Sequence, residues 1–216
     1  AAQLAAAEPG SKVVAVSAGP ASIDDSKLKK NVLARGVDEL YLTADDACAN
    51  LDANATAAAL AELLSKVGAW DVVLCGDGSA DDYAQQVDVQ LAARLGVPVV
   101  NGATKIAAKG GALEVERTLE DVVETVEVPL PAVVSVAPDI AEPRIPGMKD
   151  ILAAGKKPMN VAAADASFDA KVEVVSCRAP EQADRKLEII DASEDGAIER
   201  FAAALKAALY VLAPSS

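Results

Sequence analysis

The chain has 216 residues, of which 52% are hydrophobic and 25% charged, enough for one large globular domain or a domain with an appendage. A formal net charge of −13 argues against a nucleic-acid or anionic-membrane partner, and the absence of histidine with only three cysteines, none in CxxC spacing, excludes the usual zinc and iron–sulfur ligand sets. Cys48, Cys75 and Cys177 read as free thiols, no run reaches the length of a membrane span, and the expected location is the cytoplasm.

In chain order, "AAQLAAAE" reads as the end of an alanine-rich helix stopped by "PG". "KVVAVSAG" (12–19) is a strand, and "SKLKKNVLARG" (26–36) a helix with Leu28 and Val32 on one face, Ser26 as a candidate cap and Gly36 as its stop. "ELYLT" (39–43) is the next strand. In "NATAAALAELLSKVG" (54–68) the i, i+3, i+4, i+7 spacing of Leu60, Leu63, Leu64 and Val67 predicts a helix ended by Gly68. "DVVLCGDG" is a strand, "DDYAQQVDVQLAARLG" (81–96) a helix with Val87, Leu91 and Leu95 on one stripe, and "VPVVNGATKI" a fourth strand. Strands alternating with helices in this way predict βαβ units and a doubly wound, mostly parallel sheet.

After Gly110 the chain becomes β-branched with no room for helices, which predicts two or three strands added to the sheet in an antiparallel arrangement. "EPRIPGMKDILAAGKKPM" (142–159) is a proline-punctuated loop leading into a short helix, and residues 160–185 are extended and irregular. A linker is expected over 178–185, then a strand "LEIIDAS" and a helix over 195–212 with Ile198, Phe201, Leu205 and Leu209 facing inward. The expected division is a nucleotide-binding α/β domain over 1–159, including the loop at 142–158, and an extended C-terminal segment with its helix over 160–216.

In open parallel sheets, ligands bind beyond the carboxyl ends of strands, where small residues let backbone amides approach. Two strand ends fit: Ser17-Ala18-Gly19 and Gly76-Asp77-Gly78-Ser79. A tight turn without ligand is the equal alternative at both. Asp81, Asp82, Gln85 and Gln86 are expected in the first turns of the following helix; the acids read as caps or ligand contacts, and the amides suit adenine edges and ribose hydroxyls or simply solvent. Catalytic residues are not evident: His-based triads are impossible, the G-x-S-x-G and P-loop patterns are absent, and Glu116, Glu120, Asp121, Glu124 and Glu127 read as a solvated strand face. The site reads as a nucleotide holder without a reaction centre.

Three stretches carry a resemblance. "VERTLEDVVETVEVPLPAVVSVAPDIAEPRIPGMKDILAAGKKPM" resembles the signature region of the electron-transfer flavoprotein β subunit, and "VSAGPA" and "CGDGSADDYAQQVD" followed by "VPVVNGATKI" are similar to its nucleotide-binding segments, closest to the FixA-like branch. The resemblance runs from Lys12 over almost the whole chain. It implies a heterodimer with an α subunit that carries most of a shared FAD site, electrons passing from an acyl-CoA-type or other flavin dehydrogenase to a downstream acceptor, and AMP or a second FAD in this subunit. By the same resemblance the nucleotide lies against Ala18, Gly19, Gly76, Asp77, Gly78 and Ser79, with Asp81, Asp82, Gln85, Gln86 and Val87 at the helix start. Met148 takes the anchor position of a loop that docks on the dehydrogenase, with a helix-core role as its alternative, and Arg117 faces the flavin region. Thr118 stands where the family commonly has glutamate, and the family's first strand, the loop after it and part of its first helix have no counterpart here. The competing readings are an adenine-nucleotide sensor of the universal-stress type and an enzyme of the related α-hydrolase kind, both disfavoured by the docking loop or the missing chemistry.

Overall fold

A computed structural model describes residues 1–182 and 187–212, with side chains described as far as residue 208. The chain divides into two compact units, 1–173 and 174–216. The first is a mixed α/β body with eight strands in two sheets; in the second the described residues form one helix and otherwise irregular chain.

After a short helix α1 (Ala2–Ala7), strand β1 (Val14–Gly19), helix α2 (Ser26–Leu33) and strand β2 (Glu39–Ala44) form the first crossover, with β1 and β2 paired in parallel. Asp25, not Ser26, caps α2: its carboxylate accepts from the N–H groups of Lys27 and Leu28, both at 2.8 Å. The helix buries Leu33 and Ala34 rather than the expected Leu28 and Val32, which remain exposed. Helix α3 (Ala53–Val67) is capped by Asp52 and ends at Gly68, whose φ of +90° suits a residue without Cβ. It buries Leu63 and Leu64, as its spacing predicts.

Strand β3 (Val72–Gly76) and helix α4 (Val87–Leu95) follow, α4 ending on Gly96 in the left-handed conformation. Strands β4 (Val99–Lys109), β5 (Ala112–Thr118) and β6 (Val123–Pro129) form an antiparallel run, as expected of the added strands. Strand β7 (Ala132–Val136) departs from that expectation: it lies inside the sheet, parallel to both β3 and β4, giving the order β3-β7-β4-β5-β6. Its residues 132–135 are fully buried, which explains an apolar run without alternation. Ser135 is the polar exception; its Oγ accepts the N–H of Gly102 at 3.1 Å, where β4 bulges between Val100 and Ala103.

Helix α5 (Met148–Ala154) precedes strand β8 (Met159–Ala162), which pairs in parallel with β2 and completes a sheet of order β1-β2-β8. Lys157 fixes this junction, its Nζ donating to the carbonyls of Leu33 at 2.9 Å and Val37 at 2.5 Å. Three apolar clusters result, around β4-β5-β7, around α3-α4-β3, and around α2-β2.

In the second unit, helix α6 (Ala197–Leu212) forms as expected, but Ile198, Phe201 and Leu205 are exposed rather than inward, and the Leu209 side chain lies outside the described residues. Residues 187–193 form no strand, so "LEIIDAS" is an irregular segment; Leu187 and Ile189 meet no core that would reward pairing. Residues 178–182 of the expected linker have no regular structure, and 183–186 lie outside the described residues.

Candidate functional site

A cleft of about 570 Å³ opens where β3 ends and α4 begins. Its mouth is polar, formed by Gly76, Asp77, Gly78 and Ser79 with Asp82, Gln85 and Gln86, and by Asp52 ahead of α3. Its floor is apolar, formed by Val16 of β1, Leu60 of α3, Val73 and Leu74 of β3, and Val87 and Leu91 of α4.

The mouth is shaped by a turn longer than the sequence suggests. Helix α4 starts at Val87, so Asp81, Asp82 and Gln85 lie in the connection and Gln86 is the N-cap residue, not members of the helix's first turns. The physical reason is local: Tyr83 (φ +46°) and Gln85 (φ +52°) take left-handed backbone, which a continuing helix forbids. Both side chains fold back on Asp77, whose Oδ2 accepts from the Tyr83 hydroxyl at 3.0 Å and from Gln85 Nε2 at 3.1 Å. The Tyr83 ring thereby covers Gly78, where a Cβ would stand 2.5 Å from Cδ2. That contact, not a positive φ, is what a larger residue at 78 would disturb, since the Tyr83 ring would have to move aside. The bond to Asp77 raises the Tyr83 phenol above its ordinary pKa, and a bond from Ser79 lowers that of Asp81.

The donors offered by the mouth are backbone amides. Among the described residues no hydrogen bond engages the N–H groups of Gly78 and Ser79, the N–H of Asp77 being taken by Val136, and no side chain caps the start of α4. Free amides and an uncapped helix N-terminus accept an anion, while Asp77 and Gln85 suit the hydroxyls and edges of a nucleoside. No lysine or arginine lines the cleft, so a phosphate group there would rest on amides alone. Behind the mouth, burial first and then the charge of Asp88 push the Cys75 thiol up to about 11, which keeps it protonated and unreactive.

The remaining expected site residues lie elsewhere. Ala18 and Gly19 end β1 outside the cleft lining; Gly19 is packed against Ile23, whose Cδ1 would be 2.9 Å from an added Cβ. Asp81 is not among the residues that line the cleft either. Arg117 sits on β5, its guanidinium donating to Glu124 at 2.7 and 2.8 Å and to Asn101 at 2.8 Å, and Thr118 ends that strand opposite Val123. Met148 opens α5 at 72% exposure beside exposed Ile145, Ile151 and Leu152, which removes the helix-core alternative.

One functional feature was missed by the sequence reading. Asp52 lines the cleft, caps Ala55 at 2.7 Å, and accepts the N–H groups of Lys171 at 2.6 Å and Val172 at 3.0 Å. Asp45 does the same for Ala47 at 2.9 Å and Ala164 at 3.2 Å. These carboxylates hold Ala164, Lys171 and Val172 beside the segment that follows β2, and the amides they accept lower the pKa of both. An aspartate at a helix cap was the only signal, and it named one partner of three.

The fold and cleft define a class: an open α/β sheet with a small-residue strand-to-helix turn, the architecture of nucleotide- and cofactor-holding proteins. Residues 1–167 match the family model of the electron transfer flavoprotein domain, and the chain belongs to that family. Among the described residues, no helix is long and apolar enough to cross a membrane.

Proposed function

We propose that this chain is a β-type subunit of an electron transfer flavoprotein, of the FixA-like branch, working with an α subunit to pass electrons from a flavin dehydrogenase to a downstream acceptor. The observation that carries this reading is the cleft mouth at Gly76–Gln86, a polar turn of free amides on a chain whose residues 1–167 match the family. In this reading the mouth holds the adenosine and phosphate part of AMP or of a second FAD. Gly78 and Ser79 and the start of α4 would bind phosphate through amides, and Asp77 and Gln85 would meet the nucleoside after Tyr83 gives way.

The shared FAD, when bound, supplies the redox chemistry, and the chain itself binds and orients without catalytic residues. Arg117, held by Glu124 and Asn101 with its guanidinium fixed in place, is the residue of this chain assigned to the flavin region. Met148, with Ile145 and Leu152, supplies the apolar projection that docks on the dehydrogenase. Co-expression with a flavoprotein α subunit tests the reading: a heterodimer carrying flavin supports it, and no heterodimer with any cognate α chain rejects it.

A further inference from the structure

Asp77 lines the cleft mouth, yet its Oδ2 is occupied from within the chain, by the Tyr83 hydroxyl at 3.0 Å and by Gln85 Nε2 at 3.1 Å. The backbone of Asp77 is fixed independently of both, because its N–H donates to the carbonyl of Val136 on β7 at 3.1 Å. Asp77 is therefore anchored to the sheet whether or not the two side chains stay on it.

The two donors are held less firmly than their acceptor. Tyr83 is 56% exposed and belongs to none of the three apolar clusters. Among the described residues its hydrogen bonds end only on Asp77 and Ser79, the N–H reaching the Ser79 carbonyl at 3.1 Å and the Ser79 hydroxyl at 3.4 Å. Tyr83 and Gln85 both stand on left-handed backbone, at φ +46° and +52°, a conformation unfavourable to residues with a Cβ. Opening the turn lets that backbone relax, so the closed form is a state the chain can leave without disturbing its core.

The place of the ring gives this form a consequence. It lies over Gly78, one of the two residues of the mouth whose N–H groups have no partner among the described residues. An anion approaching that amide and a hydroxyl approaching Asp77 both meet Tyr83 first. Two donors on one carboxylate are also what the adjacent hydroxyls of a ribose supply, whereas a deoxyribose supplies one fewer.

We propose that Tyr83 is an internal plug of the cleft mouth, displaced into solvent by a ligand whose vicinal diol replaces the Tyr83 and Gln85 donors on Asp77. The inference rests on the reading of the mouth as a nucleotide site and adds two properties to it. The chain binds its ligand more weakly than the open cleft would, because only the fraction with the ring withdrawn is competent. Ribose is selected over deoxyribose, because a ligand that replaces one donor of two leaves the carboxylate underbonded.

Isothermal titration calorimetry of the full chain tests both properties, with AMP and 2′-deoxyAMP as probes and Tyr83→Ala and Tyr83→Phe as variants. Tyr83→Ala is expected to bind AMP about fivefold or more tighter than the parent protein, with Tyr83→Phe, which keeps the ring without its hydroxyl, between them. The parent protein is expected to bind AMP roughly tenfold or more tighter than 2′-deoxyAMP. Equal AMP affinity in all three proteins overturns the plug, and weaker binding by Tyr83→Ala overturns it too, since the ring is then a wall of the site. Equal affinity of the parent protein for the two nucleotides overturns the diol requirement. In these three outcomes the mouth remains a nucleotide site; no binding of either probe by any of the three proteins rejects that reading and this inference with it.

Discussion

The hydroxyl of Tyr83 donates to Asp77 at 3.0 Å, and that bond holds the aromatic ring across Gly78, the residue a nucleotide phosphate would approach. A turn of two glycines and a serine therefore carries its own cover. Asp77→Asn removes the carboxylate that raises the Tyr83 phenol, so the phenol of the variant titrates lower, toward the ordinary value of about 10. Gly78→Ala displaces the ring and has the same effect, while stability changes by no more than about 0.5 kcal/mol because Tyr83 is exposed and free to move. Tyrosinate absorbance during alkaline titration reads both variants, and curves identical to the parent protein's would contradict the closed turn.

Asp45 holds the Ala164 N–H and Asp52 those of Lys171 and Val172, and the pH dependence of these bonds follows from the sign of the two carboxylates' shifts. The pKa values of Asp45 and Asp52 are depressed in the folded chain, chiefly by the amides of Ala47 and Ala55. Their bonds are fully present above the unfolded carboxyl range of about 4 and are lost as pH falls through the lower folded values. Exchange protection of the Lys171 and Val172 amides is thus expected to hold through the mildly acid range and collapse below it. In Asp52→Ala that protection is absent at every pH; retained protection in the variant would show that another group holds the segment.

Ser135→Ala leaves the Gly102 N–H without its partner inside the sheet. The expected loss is about 1–3 kcal/mol, seen as a lower urea midpoint with an unchanged slope. A midpoint equal to that of the parent protein would mean that the β4 bulge finds another acceptor.

At the opposite extreme is Met148, exposed at 72% and packed in no core. Met148→Glu is expected to leave stability within about 0.5 kcal/mol and flavin content unchanged, while slowing flavin reduction by the dehydrogenase. Unchanged reduction kinetics would remove the docking role; a large loss of stability would return the residue to a structural one.

What could be read in the sequence was local. The spacing of Leu60, Leu63 and Leu64 and the glycine stops at Gly68 and Gly96 marked α3 and the end of α4, because helix periodicity and caps act over a few residues. The placement of "AVVSV" between β3 and β4 was not legible, since partner choice in a sheet is decided by contacts far apart in the chain. The start of α4 was misread for a different reason: "DDYAQQ" has helical residue types, but Tyr83 and Gln85 take left-handed backbone, with their side chains bonded to Asp77 and the Tyr83 N–H bonded to the Ser79 carbonyl. Of the expected site, the Gly76–Ser79 turn and Gln85–Val87 meet in one cleft, while Ala18 and Gly19 end a strand whose tip is filled by Ile23.

The most direct test of the central claim is the composition of the complex. Co-purified with a cognate flavoprotein α subunit, the chain is predicted to form a heterodimer holding one shared FAD together with either AMP or a second FAD, the nucleotide of this subunit being lost in a variant that blocks the Gly78 turn. A heterodimer with FAD alone, and no adenine nucleotide in this chain under any loading condition, would contradict the assignment of the cleft mouth.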